Sequence, residues 1–337
     1  MDTITGLAKD ERAARVALSV LVEPGDPLTG RLVNSVGAVE TVRLLTSEGP
    51  VPAMSEDAAA LGRKRLPLES SLEGTRFARQ ASETQGIGVL LPNDEGFPAS
   101  LHDLGDRTPY VLWVKGVASL VACDVEERFT VTGARAATSY GVHVAESLAA
   151  DLAAQEKVLV SGGAYGVDAA VHSAALAAGG HTIAVMAGGL DRPYPMGNRD
   201  LLERIGDLGL LVSELPPGAT PTRGRFIARA RITAALSGST TIVEAASRSG
   251  SLLVARQAHG LGRVIGAVPG PVTSIASIGT HQLLQERVAD LITDAADLVA
   301  LLDRSLAPSA ARSSGRASVA AAATRQPSTR GALVRDL

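Results

Sequence analysis

The sequence predicts an α/β protein, a mainly parallel sheet preceded by a small helical domain, on three observations. From Gly86 onward, short Val/Ile-rich runs ending in Gly or Ser alternate with helix-patterned segments. That alternation is the pattern of a parallel sheet covered on both faces. Before Gly86, apolar residues recur instead at helical spacing. Hydrophobic residues make up 45% and charged residues 20% of the 337, which supplies a real core and excludes a wholly disordered chain. At ~150 residues per domain, this length implies about two domains.

The elements follow in order. Residues 1–85 read as a helical module for packing or interaction. Its first clear helix runs from Asp10 to Leu21, and Glu23-Pro-Gly-Asp stops it. Further helices are expected at 27–36, 39–47 and 72–84. Residues 86–304 form the α/β body, with strands expected at 87–91, 110–114, 129–133, 157–162, 182–186, 208–213, 240–244 and 263–269. In such a sheet, ligands gather at the carboxyl ends of strands beside helix N-termini. Residues 305–337 are Ala/Ser/Arg low complexity and are expected to be disordered.

Composition narrows the function. The one cysteine, Cys123, excludes a disulfide framework and a Cys-based zinc site. The start lacks a basic stretch followed by an apolar one, so no secretory signal is expected. A long run free of Asp, Glu, Lys and Arg, residues 264–285, holds two prolines and three glycines, unlike a membrane span. The expectation is a soluble, cytoplasmic protein with no membrane partner. The net charge of −3 is uneven: Arg304, Arg312, Arg316, Arg325, Arg330 and Arg335 against Asp336 make the end +5, leaving −8 elsewhere. An acidic body argues against indiscriminate nucleic-acid coating, so any anion site is local.

Four strand ends carry small residues that let backbone approach an anion. They are Thr132-Gly-Ala-Arg-Ala-Ala-Thr-Ser-Tyr-Gly, Ser161-Gly-Gly-Ala-Tyr-Gly-Val-Asp, Ala187-Gly-Gly-Leu-Asp and Ser247-Arg-Ser-Gly-Ser. Together at one sheet edge they predict a phosphate or nucleotide site, although each alone is also an ordinary tight turn. No G-x-G-x-x-G stands between a strand and a helix, and no Gly-Lys-Ser/Thr occurs, which lowers nicotinamide oxidoreduction and ATP hydrolysis. Asp168 and His172, at i and i+4, read as a structural hydrogen bond at a helix start. The other histidines are scattered and make no catalytic constellation.

The segment Pro221-Thr-Arg-Gly-Arg-Phe-Ile-Ala-Arg-Ala-Arg-Ile packs Arg223, Arg225, Arg229 and Arg231 around Phe226, with no acid between Glu214 and Glu244. Arginines that neutralise phosphates, interleaved with a ring that stacks a base, suit single-stranded nucleic acid. The alternative reading is a solvated arginine face with Phe226 in the core.

These motifs in this order resemble the DNA-processing protein A (DprA/Smf) family, actinobacterial members in particular. The resemblance covers about Leu91 to Asp297. It rests on Pro98-Ala-Ser-Leu, Pro109-Tyr-Val-Leu-Trp-Val-Lys-Gly, Gly133-Ala-Arg, Ser161 through His172, Gly188 through Asn198, Ser213-Glu-Leu-Pro-Pro-Gly, Glu244-Ala-Ala-Ser-Arg-Ser-Gly-Ser and Ala267-Val-Pro-Gly. It implies an extended Rossmann-like domain behind a SAM-like helical module. It also implies a homodimer that binds single-stranded DNA and loads the RecA recombinase during natural transformation, without enzymatic activity or a cofactor. By motif, Gly133, Arg135, Ser161, Gly162, Gly163, Arg223, Phe226, Arg229, Arg231 and Ser249 are the expected DNA-binding residues. Arg135 would contact phosphate, Gly162 and Gly163 would supply N–H groups, and Phe226 would stack a base. The chain departs from the family's Phe-Pro-x-Arg-Asn-Arg pattern, with Ile227 for Pro and Ala230 for Asn, which removes an amide donor. Two other classes stay open on the residues alone. One is a nucleotide-binding sensor using the same glycine loops. The other is a phosphoribohydrolase-like enzyme, set back because no acid lies between Glu244 and Glu286.

Overall fold

The computed structural model describes residues 3–52, 56–64, 66 and 68–307. Helices α1 (Ile4–Leu7), α2 (Glu11–Leu21), α3 (Pro27–Val36), α4 (Ala38–Thr46), α5 (Glu56–Lys64) and α6 (Leu68–Gln85) come first. Their starts follow from the side chains that satisfy orphan N–H groups. The Asp10 carboxylate accepts from the Ala13 N–H, and Asp26 caps α3 directly before Pro27, a residue suited to a first helical turn. Leu18, Leu21, Val33, Ala38 and Val42 form a small core, which reaches the buried Tyr110 of the following body. The four-residue α1 and the α5 segment were not among the expected helices.

The body is one nine-stranded sheet in the order β1-β2-β6-β5-β4-β3-β7-β8-β9. The strands are β1 (Gly88–Leu90), β2 (Leu112–Gly116), β3 (Arg128–Thr132), β4 (Val158–Gly162), β5 (Thr182–Val185), β6 (Leu210–Ser213), β7 (Ser239–Ile242), β8 (Val264–Ala267) and β9 (Asp290–Leu291). Strands β3 to β9 pair parallel, whereas β2 runs antiparallel to both β1 and β6. Between them lie α7 (Ser139–Ala154), α8 (Val167–Ala177), α9 (Arg199–Leu208), α10 (Arg223–Ala235), α11 (Ser251–Gly260), α12 (Ile278–Gln285) and α13 (Ala295–Leu306). Alternate residues of the central strands feed opposite cores. Leu159 packs with α7, α8 and α13 through Leu148, Val171 and Leu298, while Val160 packs with Ile232 of α10 and with Leu236 just beyond it.

The chain walks outward from β3 through β4, β5 and β6, then returns along α10 to place β7 on the other side of β3. The strand order therefore reverses between β3 and β7, and a crevice opens beyond their carboxyl ends. The terminal α13 includes Ser305 and Leu306, so residues 305–306 are helical rather than part of the expected tail. The remainder of that tail, 308–337, lies outside the described residues. Among the described residues no helix is long and apolar enough to cross a membrane.

Candidate nucleic-acid interface

The crevice is a cleft of about 1300 Å³ bounded by the turn after β3, the first half of α10, the loop into α11 and the 273–276 loop. Helix α10 supplies its centre. Thr222 caps the helix by accepting from the Arg225 N–H, which sets the first turn at the cleft mouth. Arg223 is exposed there. Phe226 and Arg229, three residues apart, share the face toward the cleft. The guanidinium of Arg135 lies 4.6 Å from the Phe226 ring centroid and that of Arg229 5.7 Å, both within cation–π range. Tyr194 adds a second ring, 6.1 Å away and tilted by 56°.

Arg229 is held rather than free. It donates to the carbonyl oxygen of Val185 at 3.0 Å, while its buried Nε has no hydrogen-bond partner among the described residues. Burial pushes its pKa below the ordinary arginine value, and the nearby Asp168 carboxylate opposes that shift. Arg135, Arg223 and Arg248 line the cleft without a hydrogen bond or ion pair to any described residue. Gly163 borders a smaller cavity behind the Phe226 ring, and Ser249 lies on the cleft wall beside the start of α11. Gly133 is the close-approach glycine of the β3 turn: a Cβ there would fall 2.8 Å from Val167 and 2.9 Å from the Glu244 carbonyl.

Three expected contacts are corrected by the geometry. Arg231 is fully buried and forms an ion pair with Glu214, with further donations to the carbonyls of Arg107 and Ala228. Two residues beyond Arg229, it is rotated by about 200° around the helix and points away from the cleft. Ser161 is also buried, its hydroxyl placed 2.7 Å from the Val131 carbonyl and 3.1 Å from Asp168. Gly162 lines neither cavity and instead makes room for the side chains beside it. A Cβ on it would meet Arg229 at 2.1 Å and Asp168 at 2.5 Å, and its carbonyl accepts from His172 at 2.8 Å. Arg225 faces the helical module and is bidentate to Glu23 at 3.1 and 2.8 Å.

The helix N-termini hold a second correction. The buried Glu244 accepts from the N–H and hydroxyl of Thr138, the cap of α7. Asp168, in the first turn of α8, accepts from Thr132, Ser161 and the Ala164 N–H. Two internal carboxylates thus already occupy positions where a phosphate was expected. Asp168 and His172 do not bond each other. The His172 ring sits between Thr182 and the Gly162 carbonyl, a structural role. Tyr194 and Arg248 went unassigned in the sequence, although both stand inside the quoted motifs. Among the described residues no group of three or more His, Cys, Asp or Glu is placed to hold a metal ion.

The fold and site together define a Rossmann-like α/β protein with an arginine-lined, aromatic-bearing ligand cleft at its topological switch point. The family model for DNA recombination-mediator protein A matches residues 88–303, and the chain belongs to that family. A Mycobacterium tuberculosis protein carrying the DprA name is 47% identical over 226 residues, which are 64% of this chain and 57% of that relative. This chain therefore spans little more than half the length of that relative. The DNA processing protein DprA of Streptococcus pneumoniae is 39% identical over 229 residues, 68% of this chain and 78% of the relative. The solved structure of Streptococcus pneumoniae DprA superposes with a TM-score of 0.65 at 29% identity, covering 89% of this chain and 98% of that one. DNA processing protein A of Helicobacter pylori, solved to describe its single-stranded DNA binding mode, gives 0.58 at 30% identity, covering 65% and 96%.

Proposed function

We propose that this chain binds single-stranded DNA in the switch-point cleft and acts as a recombination mediator with no chemistry of its own. On this reading, a homodimer in the cytoplasm passes the strand to the RecA recombinase during DNA processing and natural transformation. Residues 86–304 form the DNA-binding body and residues 1–85 a helical module braced against it. The observation that carries the reading is that Arg135, Arg223 and Arg248, none with a hydrogen bond or ion pair to a described residue, line one cleft with Phe226, Arg135 lying over its ring. Asp168 on the cleft lining and Glu244 at the cap of α7 are engaged by internal donors.

Arginines act on the phosphates, Phe226 on a base face, and Gly133, Gly163 and Ser249 line the approach. Family membership supports the mediator role, and the Helicobacter pylori relative supports the ligand class. The engaged N-termini of α7 and α8 weigh against a free-nucleotide sensor. The test is anisotropy of a labelled poly-dT oligonucleotide against an equal-length duplex at two salt concentrations. Tighter binding of the single strand, weakening with salt, is the expected result. Equal binding of both, or none, refutes it. RecA loading onto strands covered by single-strand binding protein then tests the mediator step.

A further inference from the structure

Aromatic side chains line the small cavity beside Phe226. The loop after β5 brings Tyr194 to the ring of Phe226, and Tyr165 borders the same cavity from the loop after β4. Both tyrosines are about half exposed, 47% and 48%, and Met196 beside them is 65% exposed. Aromatic residues are only 3% of this chain, so two open rings next to the one in the cleft need a reason.

The two loops are built to hold those rings still. Asn198 donates to the carbonyls of Gly163 and Ala164, both at 3.0 Å, and the Gly197 N–H donates to the Tyr165 hydroxyl at 3.2 Å. Gly197 backs one side of the Tyr165 ring so closely that a Cβ would fall 2.6 Å from the hydroxyl oxygen and 3.0 Å from the ring. Arg192 borders the cavity with its side chain 74% exposed, and its only ion-pair partner among the described residues is Asp191 at 3.6 Å. Asp191 in turn is buried and accepts from the Gly218 N–H. The strip thus offers stacking faces and a cation, without a free carboxylate.

We propose that single-stranded DNA leaves the Phe226 cleft over Tyr194 and Tyr165, which form a second stacking subsite, with Arg192 neutralising the phosphate beside them. The proposal rests on the single-strand reading above and extends its footprint in one direction. Base-on-ring stacking tolerates any sequence, and each such ring adds to affinity. The footprint therefore grows by at least one nucleotide beyond what Phe226 alone holds.

A length series of oligo-dT tests it, using wild type, Tyr165→Ala, Tyr165→Phe and Phe226→Ala. Tyr165 suits the test because the ring beside Phe226 is that of Tyr194. Tyr165→Ala is expected to weaken long oligonucleotides by about fivefold or more while sparing the shortest that still bind. Tyr165→Phe keeps the ring and stays near wild type. Photocrosslinking of wild-type protein with 5-iodouracil placed along the strand provides a check independent of any variant. Crosslinks on Tyr165 or Tyr194 are expected, and crosslinks confined to Phe226 overturn the subsite. If Phe226→Ala weakens every length while Tyr165→Ala weakens none, the subsite alone fails. If Phe226→Ala is also silent, the reading of the cleft itself fails with it.

Discussion

Replacing Arg231 by Met separates stability from binding within one helix. In the folded chain Arg231 is wholly buried, paired with Glu214 and bonded to the carbonyls of Arg107 and Ala228. Met keeps most of the aliphatic volume but leaves the Glu214 carboxylate buried and alone. Breaking a buried pair from one side costs about 3–5 kcal/mol, or roughly 6–20 °C in Tm for a body of this size. The DNA rim is untouched, so the slope of log affinity against log salt stays at its wild-type value. Thermal unfolding followed by circular dichroism measures the first quantity, and anisotropy across a salt series the second. Adding Glu214→Leu removes the stranded charge and restores much of the lost stability, since an apolar replacement of such a pair is often nearly neutral. A Tm within about 2 °C of wild type, or a slope reduced by about 0.7, would refute the assignment of Arg231 to the interior.

The rim behaves differently. Arg223→Ala and Arg248→Ala each lower the salt slope by about 0.7 with little change in Tm, because each removes one phosphate neutralisation. Phe226→Ala weakens single-strand binding by about 1–3 kcal/mol at an unchanged slope, seen in the same titrations. Gly162→Ala pushes Arg229 off the Val185 carbonyl, and both stability, by about 1–3 kcal/mol, and single-strand affinity are expected to fall. His172 sets a pH limit. Burial holds its pKa below the ordinary 6.5, so as pH drops through 6.5 the unfolded chain takes up a proton that the folded ring resists. Stability is therefore complete above that pH and declines below it, toward the lowered folded value. Urea midpoints at pH 7.5 and 5.5 should show a smaller drop for His172→Gln than for wild type.

Much of this fold is legible in the sequence because its strands are buried on both faces. Val158–Gly162 and Thr182–Val185 read as short, mostly apolar runs closed by Gly or Met, and both expected strands lie there within a residue. The two-residue β9, Asp290–Leu291, is too short for any alternation to show, and its side chains are exposed. At the site, residue types were legible while their directions were not. Four arginines within nine residues look equivalent in one dimension, yet the helix turns Arg229 toward the cleft, Arg231 into the core and Arg225 toward Glu23. Helical phase alone places Arg231 opposite Arg229, a signal present in the sequence. No local pattern announces that Glu244 folds back on Thr138 from 106 residues away.

That last contact shapes what the cleft can hold on to. Glu244 holds the cap residue of α7 and Asp168 sits in the first turn of α8, so those two helix starts already carry a carboxylate. On the single-strand reading proposed above, the attraction comes from arginines spread along a rim. A mononucleotide reaches one or two of them and gains little. A strand carrying a phosphate at every step engages them in succession, and each contact after the first is intramolecular, at high effective concentration. On that reading the arrangement selects for connected phosphates over loose ones, and free nucleotides compete only weakly with a short length of polymer.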